Sequence, residues 1–385
     1  MLEIDNKSLC SGCHACANAC PQNCIQMISY EEGFWYPQVD KDNCIECGLC
    51  EKVCPILHKW QSDENRLTTA MAAINLNEEI RLKSSSGGIF TLIAEEIINQ
   101  GGVVFGAAFA NDFRSVHHIF VDNTKDLEKL RGSKYVQSKI GDTYKQAKDF
   151  LDGGRMVLFT GTPCQIGGLY SYLRKPYENL FTQDIICHGV PSPMVWKKYV
   201  DEREKKAAST TQRMFFRHKK YGWKTFAVLF EFLNSTVYMK NLHDDSFMRA
   251  FLSNLCLRPS CYNCSFKSIK RQADITLADF WGVQNELPEM DDDKGTSLVL
   301  VHSVKGEKQL TALAGRAKTQ IVDFSVIEKN NSAAVKSCAY NEKRAAFMCD
   351  IKTSNFNRTV NKYTKLPFKK KVRKFLGKVK RRIVK

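Results

Sequence analysis

Two cysteine motifs with identical spacing lie near the start of the chain. The pattern C-x2-C-x2-C-x3-C-P runs first from Cys10 to Pro21 and again from Cys44 to Pro55. Three thiolates of one tight loop can bind three corners of a cubane, and the fourth cysteine ligates the other cluster in two-cluster ferredoxins. The spacing therefore predicts two 4Fe-4S clusters. Their expected ligand sets are Cys10, Cys13, Cys16 and Cys54 for one cluster, and Cys44, Cys47, Cys50 and Cys20 for the other.

Zinc and disulfide bonds are the alternatives for these eight cysteines. Structural zinc sites usually contain paired C-x2-C knuckles rather than triplets followed by a fourth cysteine and a proline. Disulfides need an oxidising compartment, and the N-terminal residues show no basic segment followed by an apolar run, so we expect no secretory signal. Both alternatives are disfavoured. Cys24 lies outside both motifs and is expected to be a buried small hydrophobe.

A further cysteine group occurs late in the chain. Cys256, Cys261 and Cys264 follow the spacing C-x4-C-x2-C. Three thiolates need a fourth, and Cys187 is the first candidate because it lies where a predicted strand ends, with Cys164 of the turn GTPCQ as its rival. We predict a third 4Fe-4S cluster here and keep structural zinc as the open alternative. The remaining two cysteines, Cys338 and Cys349, have no partners at ligand spacing and are expected to be inert.

The elements that must position these residues alternate between strand and helix. A Ser- and Gly-rich loop at residues 84–88, a turn at residues 161–163 and a loop at residues 187–191 each precede a predicted helix. Free backbone N–H groups at a helix start bind anions, so the loops suit a cofactor that contains pyrophosphate, although G-x-G-x-x-G and P-loop motifs are absent. The alternation predicts an α/β domain with a mostly parallel or mixed sheet.

The composition indicates a large protein of several domains. The chain has 385 residues, of which 43% are hydrophobic, and the segment HKWQSDENRL after Pro55 suits a linker. No apolar run approaches the roughly 20 residues that span a bilayer. The predicted divisions are a two-cluster ferredoxin domain at 1–60, an α/β domain at 66–290, its C-terminal part at 291–364 and a basic tail at 365–385.

The formal charge of +16 is concentrated in that tail. Eleven of its 21 residues are Lys or Arg and none is acidic. Its apolar residues recur at helical spacing, which predicts an amphipathic helix suited to an anionic membrane surface, with packing on its own domain as the alternative. Nucleic-acid binding is disfavoured because no base-stacking aromatic motif accompanies the charge. We expect a cytoplasmic protein with a candidate peripheral contact at the inner face of the membrane.

Six motifs give the chain a resemblance to the family of coenzyme F420 hydrogenase/dehydrogenase beta subunits. They are SSSGG, GSKYVQS, GTPCQIGGL, CHGVPSP, RPSCYNC and DITLADFWG, in this order behind the cysteine motifs. The resemblance implies a flavoprotein with a two-cluster ferredoxin-like domain, an α/β FAD-binding domain with a mixed sheet, and a helical basic C-terminus. It implies coenzyme F420 as substrate in members that use it, and other molecules elsewhere. Bacterial members of this build also resemble proteins encoded among polysaccharide-synthesis genes.

The resemblance also implies specific contacts with FAD. The serine and glycine loop would meet the phosphates or ribose, the pair after Ser133 would lie along the cofactor, and the turn after Phe159 would meet the isoalloxazine. The residues carried over are Ser85, Ser86, Gly87, Gly88, Lys134, Tyr135, Thr160, Gly161, Thr162, Pro163, Cys164 and Gln165. The chain departs from the expected GDFWG by having Ala278 in place of glycine.

Two residues are candidates for catalytic roles. Lys134 would place a cation near the pyrimidine end of the flavin and favour its anionic reduced state, with a surface lysine as the alternative. His188 is the first candidate for a proton donor, because its ordinary pKa is near neutrality, with a structural histidine as the alternative. The basic and aromatic segment Phe215–Lys224 could clamp an acidic substrate or form a solvated loop.

The predicted function is that of an iron-sulfur, flavin-dependent oxidoreductase. Electrons would pass from ferredoxin-type clusters through FAD to a small-molecule substrate, or the reverse, and the electron donor would be ferredoxin or a partner subunit. One alternative is a non-catalytic electron-transfer subunit of a larger complex. The other is a binding protein that uses its metal sites structurally.

Overall fold

The computed structural model describes Ile4, residues 6–59 and residues 68–364. The basic tail at 365–385, with its predicted amphipathic helix and membrane contact, lies outside the described residues, as does most of the predicted linker. Within the part of the chain that is described, no helix combines the length and apolar character needed to cross a bilayer.

The N-terminal region is a β-hairpin with one short helix at each cysteine motif. Its elements are α1 (Ala15–Ala19), β1 (Ile25–Ser29), β2 (Trp35–Val39) and α2 (Leu49–Lys52). Both helices follow a residue in the left-handed conformation inside a C-x2-C loop, His14 with φ 65° and Gly48 with φ 68°. The chain therefore turns sharply at the places where thiols must converge.

The rest of the described chain alternates strands and helices. Its strands are β3 (Thr69–Asn75), β4 (Val103–Phe109), β5 (Val116–Val121), β6 (Ser138–Lys139), β7 (Val157–Thr160), β8 (Leu180–Ile185), β9 (Thr211–His218), β10 (Ala227–Phe232), β11 (Val237–Asn241), β12 (Ile275–Asp279), β13 (Ser297–Val301) and β14 (Ala317–Val322). Its helices are α3 (Glu78–Lys83), α4 (Ile89–Asn99), α5 (Leu127–Leu130), α6 (Thr143–Asp152), α7 (Pro163–Leu173), α8 (Pro193–Ala207), α9 (Ser246–Leu252), α10 (Val283–Glu286), α11 (Val304–Thr311), α12 (Ser325–Asn330), α13 (Arg344–Thr353) and α14 (Phe356–Thr364).

Nine strands form one mixed sheet in the order β14-β3-β13-β12-β8-β7-β4-β5-β6. Its four central strands, β12, β8, β7 and β4, are parallel, whereas β13 and β5 pair antiparallel at their two flanks. The prediction of an α/β fold with a mixed sheet is confirmed. The parallel strands end at Thr160, Ile185 and Asp279, which defines the carboxyl edge where α/β proteins place their sites.

A separate antiparallel sheet, β11-β10-β9, packs its aromatic residues against α8 and α9. Trp196 of α8 contacts Phe216 of β9 and Phe247 of α9, with ring centroids 4.8 and 5.1 Å apart. The segment Phe215–Lys224 is therefore only partly a loop, because its first four residues belong to β9. Burial of these large rings fixes β9 beside the carboxyl edge of the main sheet.

The N-terminal region is fixed against the main sheet through buried side chains. Arg258, with no exposed surface, donates from Nε to the Cys10 carbonyl at 2.8 Å and from Nη2 to the Trp35 carbonyl at 3.0 Å. A Cβ on Gly168 of α7 would lie 2.9 Å from the Cβ of Cys13, so α7 approaches the first cysteine motif as only glycine allows. The predicted ferredoxin and α/β domains therefore share a tight interface.

Candidate functional site

Four thiols from both N-terminal motifs converge in the first site, at Cys10, Cys13, Cys16 and Cys54. The thiols of Cys13 and Cys16 each interact electrostatically with those of Cys10 and Cys54. Burial, together with these neighbours, raises the pKa of Cys13 to about 12. Separate thiolates are thus disfavoured, and iron would supply the compensating charge. Because Cys54 comes from the second motif, the four residues fit the predicted exchange of fourth cysteines.

The second site is a small cavity lined by Cys20, Cys44, Cys47 and Cys50. Cys20 here comes from the first motif, which completes the exchange. Cys24 also lines this cavity, and its Sγ lies 3.3 Å from that of Cys20. It is buried, as predicted, but the sequence spacing did not indicate that it would lie beside four ligand candidates. The set again fits one 4Fe-4S cluster.

A third group of thiols lies between the N-terminal region and the main sheet. Cys164, Cys187, Cys261 and Cys264 line one cavity of about 330 Å³. Burial raises the pKa of Cys164, and the thiols of Cys264, Cys187 and Cys261 raise it further. Four thiols around one cavity suit a 4Fe-4S cluster, whose iron atoms bind thiolates at separate corners. Among the described residues, no three ligand side chains lie close enough to hold a single metal ion such as zinc.

Cys256, which the sequence analysis placed in this third group, lies elsewhere. It is completely buried in the aromatic cluster around α8 and α9, and does not line the thiol cavity. Its backbone carbonyl accepts a hydrogen bond from the N–H of Ser192 at 2.9 Å. The fourth thiol of this group therefore belongs to Cys164, the predicted rival of Cys187, and Cys256 is not part of the group.

Cations surround the third group. Lys267 donates to the backbone carbonyl of Cys187 and, at 2.7 Å, to that of Ala333. Burial raises the pKa of the Cys187 thiol, whereas Lys267 and Arg271 oppose that rise. A site with four thiolates carries net negative charge with either metal, so the two cations suit it.

A cavity of about 630 Å³ opens at the carboxyl edge of the main sheet. This volume is typical of sites for cofactor-sized ligands. Among the predicted contacts, those that line it are Ser85, Ser86, Gly88, Lys134, Tyr135, Thr160, Gly161, Thr162, Gln165 and His188. Gly87, Pro163 and Cys164 do not; the last two line the thiol cavity instead.

Hydrogen bonds join the serine and glycine loop to its neighbours. Ser85 Oγ accepts from the N–H of Ser133 at 2.7 Å, which ties this loop to the segment that contains Lys134. Ser86 Oγ donates to the carbonyl of Thr296 at 2.9 Å. Gly87 has a packing role, because a Cβ there would lie 2.3 Å from the carbonyl oxygen of Ala73. The loop is a rigid wall at the N-terminus of α4.

A buried hydrogen-bond network holds the turn after β7. His118 Nε2 donates to the carbonyl of Thr160 at 2.9 Å, so its Nδ1 accepts from Ser138 Oγ at 2.8 Å. Gln165 donates to the same hydroxyl at 3.0 Å and accepts the N–H of Thr162 at 2.9 Å. Sequence reasoning missed His118 and Ser138, since each lies within a strand pattern that carries no motif.

The two candidate catalytic residues both line the large cavity, but their polar atoms are engaged. The ammonium of Lys134 donates to the carbonyls of Lys129 and Arg131, both at 2.9 Å, where α5 ends. His188 Nε2 lies 2.7 Å from Asn254 Oδ1, and burial lowers the pKa of the imidazole. A neutral His188 donates to Asn254 and holds no second proton. Its role as an acid stays a prediction.

One wall separates the thiol cavity from the large cavity. Cys187, His188, Gly189 and Val190 line both of them. Helix α7 links three of the four sites, because Thr162 just before it lines the large cavity, Cys164 lines the thiol cavity and Gly168 touches Cys13 of the first site. Cys164 and Gly168 are one helical turn apart, about 6 Å along the axis. Redox groups in these sites would be within short distances of each other.

The residues of the large cavity fit FAD by their polarity as well as by volume. Hydroxyls and backbone at the start of α4 suit phosphate oxygens. Gln183 Oε1 and Asn331 Nδ2 belong to side chains that line the cavity, are buried, and have no hydrogen-bond partner among the described residues. Buried polar atoms without partners are rare in native proteins, so an acceptor and a donor of this kind indicate a polar ligand.

Comparison with known proteins matches both parts of this arrangement. Residues 9–56 match the family model of the 4Fe-4S dicluster domain. Residues 154–327, from the end of α6 to α12, match the family model of the C terminus of the beta subunit of coenzyme F420 hydrogenase/dehydrogenase.

Individual relatives are distant. The F subunit of the F420H2 dehydrogenase of Methanosarcina mazei is 22% identical over 176 residues, which cover 42% of this chain and 48% of the relative. An iron-sulfur subunit of the CoB–CoM heterodisulfide reductase of Methanocaldococcus jannaschii is 30% identical over 126 residues, 26% of this chain and 19% of the relative. This chain thus spans half or less of the length of either protein.

A solved structure is also similar. A chain of the F420-reducing NiFe hydrogenase complex from Methanosarcina barkeri has a TM-score of 0.46 and 17% sequence identity, covering 68% of this chain and 85% of that one. The family assignment depends on the two matched regions and on the six motifs. The chain is therefore similar to the coenzyme F420 hydrogenase/dehydrogenase beta subunits over residues 154–327, and to 4Fe-4S dicluster domains over residues 9–56.

Proposed function

We propose that this chain is an iron-sulfur flavoprotein oxidoreductase that exchanges electrons between a protein partner and a small-molecule substrate. The observation that carries the proposal is the wall at residues 187–190, which lines both the third thiol site and the large cavity. Iron-sulfur clusters supply one-electron transfer and a flavin supplies one- or two-electron chemistry, so adjoining sites of these kinds suit a two-electron reaction.

The three thiol sites are proposed to form a chain of redox centres. Cys47 is exposed, which places the second N-terminal site at the surface where a partner such as ferredoxin can approach. The first site lies against α7 through Cys13 and Gly168. The third site follows one turn away at Cys164. Lys267 and Arg271 stabilise negative charge there, which favours 4Fe-4S over an empty group of thiols.

The large cavity is proposed to hold FAD. The serine and glycine loop with Ser133 would bind its phosphates or ribose, and the turn at Gly161 and Thr162 would contact the isoalloxazine. His118, Ser138 and Gln165 keep that turn in place through their hydrogen bonds to one another and to its backbone. These residues position the ring rather than react with it.

The substrate is proposed to be a small acidic molecule that binds over the flavin. The relative from Methanosarcina mazei is named as part of an F420H2 dehydrogenase, which makes coenzyme F420 the first compound to test. The role in polysaccharide biosynthesis implied by the sequence resemblance stays a prediction.

A second candidate function is an electron-transfer subunit that relays electrons to another chain. The same relative is named as one subunit of its enzyme, which favours this candidate. The two functions differ in whether the isolated chain turns over a substrate.

Anaerobic purification with iron, sulfide, zinc and flavin measured per chain tests the proposal. We expect about twelve irons and one FAD, the content of three 4Fe-4S clusters and one flavin. About eight irons with one zinc would make the third site structural. About eight irons without flavin would overturn the proposal in favour of a relay or binding protein. Reduction of coenzyme F420 by the isolated, dithionite-reduced chain separates the enzyme from the relay subunit.

A further inference from the structure

Arg217 of β9 is a buried cation among the residues that line the large cavity, and two of its nitrogens have no partner in the part of the chain that the structure describes. Its side chain is 3% exposed, and it lines the cavity. Nη1 forms an ion pair with Asp279 and donates to the hydroxyl of Tyr135 at 3.3 Å. Nε and Nη2 have no hydrogen-bond partner among the described residues. Half of the guanidinium is therefore engaged and the other half is not.

The two nitrogens without described partners, Nε and Nη2, lie on the same edge of the guanidinium. Nε–H and the nearer N–H of Nη2 point the same way and form the side-on fork of an arginine, which matches the two oxygens of a carboxylate or phosphate. Arginine does not lose its proton in proteins, so a buried fork without an acceptor is costly. A ligand that supplies two oxygen acceptors would remove this energetic cost.

The surroundings hold Arg217 in a single orientation. Its Cζ lies 4.2 Å from the ring centroid of Phe226 and 5.3 Å from that of Trp281. Asp279, at the end of β12, also accepts from Trp223 Nε1 at 3.0 Å, so the counter-ion is itself fixed. The aromatic rings exclude water from the guanidinium, which strengthens its interaction with an anion.

Neighbouring lysines do not provide this function. Lys134 donates to two backbone carbonyls at the end of α5. Lys219, two residues after Arg217, donates to the carbonyls of Arg81, Ser86 and Lys294. Both ammonium groups thus join loops together.

We propose that Arg217 is an anion-recognising residue of the large cavity, binding a phosphate or carboxylate through Nε–H and Nη2–H. The proposal deepens the proposed function, on which it rests for the identity of the cavity's occupants. The anion has two possible sources, the pyrophosphate of FAD or the acidic group of the substrate. Both present the same oxygen pair to the fork.

Pyrophosphate binding tests the recognition itself without flavin. In flavin-free protein, titration with inorganic pyrophosphate is followed by tryptophan fluorescence, since Trp281 adjoins Arg217 and stacks on Trp223 with centroids 5.0 Å apart. We expect Arg217→Met to weaken binding by about tenfold or more, and Arg217→Lys to weaken it less, because the charge remains but the fork is lost. Arg213→Met is the matched control, since Arg213 lies on the same strand with a side chain 61% exposed.

Flavin binding then separates the two sources. If the anion is the cofactor's, Arg217→Met weakens FAD but not riboflavin, which lacks phosphate. If it belongs to the substrate, FAD affinity is unchanged, and pyrophosphate perturbs the flavin spectrum of the loaded wild type but not of the variant. Pyrophosphate that fails to bind the wild type, or binds Arg217→Met as tightly, overturns the proposal. Equal losses of FAD and riboflavin would indicate a packing effect and also overturn it. A wild type that binds pyrophosphate but no FAD would contradict only the proposed function.

Discussion

The N-terminal thiol sites and the third thiol site are built in opposite ways. All eight cysteines of the former lie within residues 10–54, in two loops of identical spacing. The third site gathers Cys164 from the start of α7, Cys187 from beyond β8, and Cys261 and Cys264 from the segment before β12. Where one loop supplies most ligands, the sequence spacing identifies them. Where the ligands come from the ends of different strands and helices, the topology of the sheet decides which cysteines meet.

Removing single cysteines is the strongest test of this comparison. We expect Cys164→Ala to lower the iron content by about four atoms per chain, the content of one 4Fe-4S cluster, because it removes one of four ligands. Cys256→Ala should leave iron unchanged and reduce only stability, since Cys256 lies in an apolar core. Metal analysis after anaerobic purification measures both.

The opposite result would restore the spacing-based assignment. Loss of iron in Cys256→Ala with full iron in Cys164→Ala would mean that the motif C-x4-C-x2-C acts as one unit. A variant that loses one zinc and no iron would identify the site as structural.

Much of this molecule could be predicted from the sequence, for physical reasons. The exchange of Cys20 and Cys54 follows from local spacing, and the α/β sheet follows from buried strands that alternate with helices. Cys256 could not be separated from Cys261, because its burial depends on packing with α8 and α9, whose residues are distant from one another in sequence. Arg217 lies on a strand, where register alone decides which way a side chain points.

The buried histidine of the large cavity should make stability depend on pH. Burial lowers the pKa of His118 from 6.5 to about 4. Between these values the unfolded chain binds a proton that the folded chain does not, so stability falls as the pH decreases from about 6.5 towards about 4. The loss over the whole window is on the order of 3 kcal/mol. Denaturant unfolding at several pH values measures it.

His118→Gln should remove this share of the pH dependence while keeping a polar group in the network. The exposed His243 offers a matched control, and His243→Gln should leave the slope unchanged. A slope in His118→Gln equal to that of the wild type would show that His118 is not held neutral by the fold. The His118 hydrogen bond to Thr160 would then contribute little to holding the turn that precedes Cys164.

Substitution of Lys134 should have the smallest effect of these variants. It distinguishes the role beside the flavin, which the family resemblance implies, from the structural role that the observed contacts indicate. Its ammonium donates to carbonyls of Lys129 and Arg131 at the end of α5. We therefore expect Lys134→Met to lower the free energy of unfolding by about 1 kcal/mol and to leave the flavin midpoint potential unchanged. Lys129→Met is the control, because the Lys129 side chain is exposed on α5, close in sequence to Lys134, and pairs with Asp126.

The alternative predicts a different readout from the same variant. If Lys134 instead supplies positive charge to the reduced flavin, its loss would lower the midpoint by about 30 mV or more, equivalent to about 1.4 kcal/mol for a two-electron couple. Redox titration of the flavin absorbance decides between them. An unchanged midpoint with reduced stability would assign Lys134 a structural role in the wall of the cavity, where it stabilises the end of α5.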